Sequence, residues 1–245
     1  MTYCVGVRLD RGLVFMSDTR TNAGLDNIST FRKMHSWEMP GERVITLMTA
    51  GNLATTQAVV SLLEERTKAP SDRTPTILSA PSMFQVANIV ASTLKEVIDS
   101  HSDVGQKADS AFNGTLILGG QIADSVTRLF LIYPEGNFIE AGEETPFFQI
   151  GETKYGRPIL VRAYDPAMSF EAAVKMMLLS FDSTIKANLS VGLPIDLQIY
   201  HEGELELGPH RRFEADDAYF TEISEGWSSA LKQAVDSLPD FSLEN

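Results

Sequence analysis

Cysteine, tryptophan and histidine are scarce: one, two and four residues in a chain of 245. Cys4 has no partner for an intrachain disulfide, which suits a reducing compartment. Its place in an apolar run reads as a small buried hydrophobe rather than a nucleophile. The histidines, His35, His101, His201 and His210, show no paired ligand spacing, so no metal site is expected. Basic residues are the minority, 20 Lys+Arg against 33 Asp+Glu, for a formal charge of −13. That balance argues against nucleic-acid or acidic-membrane partners and favours solubility. No apolar run is long enough to cross a bilayer. The first residues lack the basic, apolar and small-residue order of a secretion signal, so a cytoplasmic location is expected. There the glycosylation-like Asn113-Gly114-Thr115 is without meaning. The Gly151-Glu-Thr-Lys-Tyr-Gly156 segment lacks the GxxxxGK[ST] order of a phosphate cradle, which removes nucleotide binding. With no repeat, low-complexity stretch or linker, residues 1–245 are expected to form one domain.

What is present is an ordinary globular composition, 43% hydrophobic and 22% charged, with length enough for a substantial core. The chain is organised around residues 1–33, MTYCVGVRLDRGLVFMSDTRTNAGLDNISTFRK. Tyr3–Leu9 and residues 13–17 are apolar runs separated by Asp10-Arg11-Gly12, the chemistry of a hairpin turn. If Leu9 pairs with Gly12, Tyr3 falls opposite Asp18 and Thr2 opposite Thr19; a different turn slips this by a residue or two. Either register sets the Thr2 hydroxyl beside a carboxylate. Lys33 then arrives on a third strand.

Removal of Met1 would make Thr2 the first residue, with an α-amine whose pKa lies near about 8. A Thr hydroxyl with its own amine as base is a recognised activated nucleophile. Lys33 would favour the alkoxide, and Asp18 would keep Lys33 charged and oriented. Each residue also has a plainer reading: an idle second-position Thr, a turn Asp closing a strand, a solvated Lys.

Thr2, the Asp18-Thr-Arg20-Thr-Asn22-Ala-Gly24 segment and Lys33 resemble the N-terminal-nucleophile pattern of proteasome-type peptidases, the β-type subunits and bacterial HslV. The longer run MTYCVGVRLDRGLVFMSDTRTNAGLDNISTFRKM, with AGNLAT, QIGETKYGRPIL and NLSVGLPIDL, is similar to the bacterial Anbu family, the "ancestral beta subunit". The resemblance extends over nearly the whole chain. It implies a four-layer αββα sandwich and a homo-oligomer with a sequestered chamber or channel. It further implies Gly51 as oxyanion donor, Asn22 and Thr49 as substrate contacts, and Ser190 as a supporting hydroxyl. The plain reading of Gly51 is a strand-to-helix turn glycine. The chain departs from the peptidase pattern three times. Asn22 stands where a peptide-contacting threonine is usual, Glu152 where a serine follows a glycine, and Ala187 where an acid precedes the serine-glycine pair.

Pattern alone gives paired strands at the start, strands over 32–38 and 44–50, and a helix over 53–66. A polar loop over 68–80 leads to an amphipathic helix over 82–100, capped by Ser82. Strands follow over 115–120, 127–133, 138–141 and 147–150. A helix over 169–188 precedes strands at Ile195–His201 and 211–213. A last helix spans 217–237, before a tail expected to fray. Residues 19–30 read as a polar connecting loop able to offer its backbone to a peptide. This is an α+β arrangement with antiparallel sheets and outer helices.

The leading expectation is a threonine hydrolase of peptide or amide bonds using Thr2, Asp18, Lys33 and Ser190 with Gly51, and needing no metal or organic cofactor. Its partners are peptide substrates and copies of itself; an ATPase partner is left open. Glu152 and Ala187 motivate an alternative, a narrow-specificity amidohydrolase or transferase. A third reading, a proteasome-like assembly subunit with little catalysis, has the intact Thr2, Asp18 and Lys33 set against it and would be favoured by a retained Met1.

Overall fold

The computed structural model describes residues 2–22, 28–68, 75–102 and 112–242, without the side chains of residues 22, 28, 101 and 102. Two five-stranded antiparallel sheets face each other, each covered outside by helices, giving the expected αββα sandwich.

The first sheet holds β1 (Tyr3–Leu9), β2 (Gly12–Asp18), β10 (Phe147–Gly151), β11 (Ile195–His201) and β12 (His210–Phe213), in the order β10-β1-β2-β11-β12. The second holds β5 (Met34–Met39), β6 (Arg43–Gly51), β7 (Gly114–Ile122), β8 (Arg128–Ile132) and β9 (Phe138–Glu140), in chain order. Along β1 and β2 the side chains alternate between two cores, as the two-residue period of a strand requires. Tyr3, Val5, Val7, Val14 and Met16 face one helical layer; Cys4, Leu13 and Phe15 face the opposing sheet. Both faces are therefore buried, which is why these strands are nearly continuous apolar runs. The hairpin closes with Leu9 opposite Gly12 and Cys4 opposite Ser17, the expected register.

Outside the second sheet lie α1 (Leu53–Lys68) and α2 (Met83–Ser102). Ser82 caps α2, its Oγ accepting from the Gln85 N–H at 3.3 Å. Outside the first sheet lie α3 (Thr153–Ala163), α4 (Phe170–Ala187) and α5 (Ala218–Asp236). Ser169 and Asp217 cap α4 and α5 through the Ala172 and Phe220 N–H groups.

Three local readings need correction. Residues 153–163, not read as a helix, form α3 despite Gly156 and Pro158 inside it. Both lower helix propensity, but the interior demands the glycine: a Cβ there would sit 2.2 Å from Ser180 Oγ on α4. Tertiary packing overrides propensity at this point. The span 19–30 is not wholly a connector, because β3 (Arg20–Asn22) and β4 (Ile28–Thr30) pair within it. Lys33 precedes β5 rather than lying on it. Residues 23–27, 69–74, 103–111 and 243–245, on which parts of the loop and tail readings fall, lie outside the described residues, as does Met1. Among the described residues, no helix is long and apolar enough to cross a membrane.

Candidate active site

The start of β1, the end of β2, the entry to β5 and the end of β6 meet at one end of the sandwich. Thr2, immediately ahead of β1, is only 8% exposed. Its carbonyl accepts the Glu152 N–H at 2.8 Å, continuing the β1–β10 ladder one step past Tyr3 opposite Gly151. Gly151 makes this contact possible. Its φ is +83°, and a Cβ there would lie 1.8 Å from the Thr2 carbonyl oxygen. An L side chain is strained at such a φ and has no room besides.

The first residues of β1 are anchored from below. The Tyr3 hydroxyl exchanges a hydrogen bond with Ser180 Oγ at 2.7 Å and accepts one from Gln149 Nε2 at 2.6 Å. Ser180 Oγ also donates to the Gly156 carbonyl at 3.0 Å. Burial pushes the Tyr3 phenol up to about 12, so it stays protonated and acts as a fixed peg. Its ring packs on Phe181 with centroids 4.6 Å apart.

Asp18 and Lys33 are both buried and touch, with Lys33 Nζ 2.7 Å from Asp18 Oδ1. The same oxygen accepts the Tyr3 N–H at 2.9 Å. That amide shares a peptide bond with the Thr2 carbonyl, so the carboxylate is tied directly to the Thr2–Tyr3 link. Lys33 Nζ also donates to the Arg20 carbonyl at 2.6 Å. Burial drives the Asp18 carboxyl above its ordinary value, against the opposing pull of the Lys33 ammonium and the Tyr3 N–H. Its second oxygen, Oδ2, is buried and has no hydrogen-bond partner among the described residues. Cys4, two residues from Thr2, is fully buried, and burial pushes its thiol up, so it stays a thiol rather than a reactive thiolate.

The remaining predicted residues fall around this centre. Thr49 on β6 is buried, and its N–H donates to the Lys33 carbonyl at 2.9 Å, which fixes the lysine backbone. Gly51 ends β6 at φ +118°, where a Cβ would lie 2.2 Å from the Asn113 carbonyl oxygen. A close backbone approach there needs glycine whatever else Gly51 does. Asn22 ends β3, and its side chain lies outside the described residues. Ser190 is half-buried, and its Oγ donates to Asn188 Oδ1 at 2.6 Å. Asn188 is the neighbour of the departed acid at Ala187.

Arg20 is the residue whose part sequence reasoning missed. Its Nη1 donates to the Leu189 carbonyl at 3.1 Å while its own carbonyl holds Lys33. It therefore ties the Ser190 loop to the Asp18–Lys33 pair. Thr19 reinforces the tie, its N–H and Oγ1 both donating to the Pro194 carbonyl, at 3.0 and 2.8 Å. The partners are backbone carbonyls far away in sequence, so no motif marks them.

A cleft of about 530 Å³ lies elsewhere, lined by Arg8, Asp10, Tyr164 and Glu202 among others. It sits at the other end of β1, about 20 Å along the strand from Thr2, and takes no part in this site. Among the described residues no group of three or more His, Cys, Asp or Glu could hold a metal ion.

The arrangement supplies a hydroxyl at the chain start, a buried lysine held by a buried carboxylate, and a glycine backbone at a strand end. The proteasome-subunit family model matches residues 2–199. Among solved structures, an Anbu (Gly-1) mutant from Hyphomicrobium sp. strain MC1 is 49% identical, with 99% of this chain and 100% of that one covered and a TM-score of 0.91. Anbu (ancestral beta-subunit) from Yersinia bercovieri is 45% identical, with 99% and 100% coverage and a TM-score of 0.92. The Anbu complex from Pseudomonas aeruginosa, solved as a helical assembly, is 44% identical, with 100% coverage of both chains and a TM-score of 0.92. Comparison with curated proteins finds no match.

Proposed function

Because the chain belongs to the proteasome-subunit family and is similar over its whole length to Anbu proteins, we propose that it is a threonine-type hydrolase of peptide or amide bonds. The observation that carries this reading is the buried Asp18–Lys33 pair bonded to the Tyr3 N–H, one peptide bond from Thr2. A buried ion pair gives little net stability, and here it borders a hydroxyl that could use it.

With Met1 removed, the Thr2 α-amine takes the proton from Thr2 Oγ as that oxygen attacks the substrate carbonyl. Lys33 stabilises the developing negative charge on Oγ, and Asp18 holds Lys33 in place. The Gly51 N–H receives the oxyanion. The C–N bond breaks, the ammonium returns its proton to the leaving amine, and an ester on Thr2 remains. Water, deprotonated by the same amine, hydrolyses the ester and restores the free hydroxyl. Asn22 and Thr49 contact the substrate, and Ser190, steadied by Asn188, supports the amine side. The reaction draws on the chain's own groups without a metal or organic cofactor.

We place this activity in one domain spanning the chain, in a cytoplasmic homo-oligomer. The helical assembly of the Pseudomonas relative supports self-association. So do Val235, Leu238 and Phe241, which stand exposed on and beyond α5. The half-buried Glu152 beside Thr2, in place of a serine, favours a narrow substrate range over general proteolysis.

The test is turnover of N-acylated peptide amides by the wild type and by Thr2→Ala. Release of the amine by the wild type and its loss in the variant are expected; equal rates would sink the mechanism.

A further inference from the structure

Glu152 has a carboxylate with no assigned task. It occupies the position before α3 but makes no capping hydrogen bond to that helix. It is half-buried and takes part in no ion pair or side-chain hydrogen bond among the described residues. Its backbone, in contrast, is fixed. The N–H is bonded to the Thr2 carbonyl at 2.8 Å, and the β1–β10 register sets residue 152 opposite residue 2. Directly opposed residues in an antiparallel pair have Cα atoms about 4.5–5.5 Å apart. A glutamate side chain spans that distance, so its carboxylate can reach a charge on the Thr2 nitrogen. Gly151 secures the approach, since a residue with a Cβ would displace the Thr2 carbonyl.

We propose that Glu152 is a positioning residue for the Thr2 α-amine: its carboxylate pairs with the ammonium and fixes the nitrogen beside Thr2 Oγ. The inference rests on the reading of Thr2 as the processed N-terminus. The other charges around the amine leave this role open. Asp18, from β2, also feels the charge of the amino terminus, but its contact partner is Lys33, from the entry to β5, and the pair's net charge is zero. Cys4 is held neutral by burial. Lys154, two residues further on, is exposed and screened by solvent. Arg20, from β3, is turned onto the Leu189 carbonyl, and Arg32 is exposed. Glu152 is thus a carboxylate without an ion-pair partner among the described residues at this end of the chain. Its pairing keeps the amine protonated to a higher pH than an isolated terminus, because a nearby anion favours the charged form. The amine is freed as a base only when pH rises or when a substrate disturbs the pair. A serine at this position would bond the amine without that electrostatic hold.

The experiment is competitive acylation of the N-terminus across pH, read by mass spectrometry on the Thr2–Arg8 tryptic peptide, in the wild type and in Glu152→Gln. Intact mass is recorded first. With Met1 absent, the labelling midpoint of the Gln variant is expected to drop by about 0.5–1 pH unit, so that labelling near pH 7 runs roughly three- to tenfold faster. A merely structural glutamate would not move the midpoint. Raising salt to about 1 M should lower the wild-type midpoint in the same direction, a check that does not depend on the variant folding. Met1 absent with unchanged midpoints in both checks overturns the pairing and leaves the threonine mechanism standing. Met1 retained overturns both.

Discussion

Replacing Lys33 by methionine is expected to cost about 3–5 kcal/mol of folding stability, the usual penalty for removing one partner of a buried ion pair. The lysine is the counter-charge for a carboxylate with no exposed surface. Its loss leaves Asp18 with the Tyr3 N–H and the more distant charge of the amino terminus to support the charged form. The cost should depend on pH in a definite direction. Burial already raises the Asp18 carboxyl, and Lys33 is the largest influence opposing that rise. Without it the folded-state value climbs further above the unfolded value. A carboxyl raised in the folded state is no burden below its unfolded value, where both states hold the proton. It becomes a growing burden as pH rises through the gap. The deficit of Lys33→Met against wild type should therefore be larger near about pH 8 than near about pH 5. Chemical denaturation at the two pH values checks this. Adding Asp18→Asn should recover part of the loss, because the unpaired charge is then gone. Neither variant should turn over amides, since the alkoxide at Thr2 loses its cation.

The second large effect is expected at Gly151→Ala, a change of one methyl group. At φ +83° an alanine is strained by about 1–3 kcal/mol. The larger consequence is steric. The new Cβ would lie 1.8 Å from the Thr2 carbonyl oxygen and 2.6 Å from its carbon. Both are backbone atoms, so no side chain can rotate away, and Thr2, immediately ahead of β1, must shift. A displacement of about 1 Å at a reacting group can cost on the order of 100-fold in rate. Turnover should fall by at least that factor, while circular dichroism shows the sandwich intact. Tyr3 makes the two effects separable: its hydroxyl stays pegged to Ser180 and Gln149, which confines the shift to the residue ahead of it.

The sequence shows the site's frame more clearly than its fastenings. Asp10-Arg11-Gly12 between two apolar runs is local turn chemistry, and the Leu9–Gly12 register follows from it. That register alone brings the start of β1 to Asp18. The contact of Asp18 with Lys33 crosses only 15 residues, and charge and order point to it. Helix α2 declares itself by apolar spacing and its Ser82 cap, and α1, α4 and α5 by pattern, whereas the caps Ser169 and Asp217 are seen only in the structure. Where partners lie far apart, the signal fails. Helix α3 is masked by Gly156 and Pro158, because the reason for Gly156 sits on α4, 24 residues away at Ser180. Arg20 looks like one more charge in a polar loop until its guanidinium is seen on the Leu189 carbonyl, 169 residues on. Glu152 stands out in the sequence as a departure from a family pattern. Its bond to Thr2 becomes visible once β10 is seen to pair with β1.

The most direct measurement is the intact mass of the purified protein before and after incubation with a peptide epoxyketone, a warhead that closes its ring on a free N-terminal amine and the hydroxyl beside it. The account predicts a chain lacking Met1 that gains one adduct on Thr2, with no adduct on Thr2→Ala. A chain that keeps Met1, or an adduct formed equally by Thr2→Ala, would contradict it.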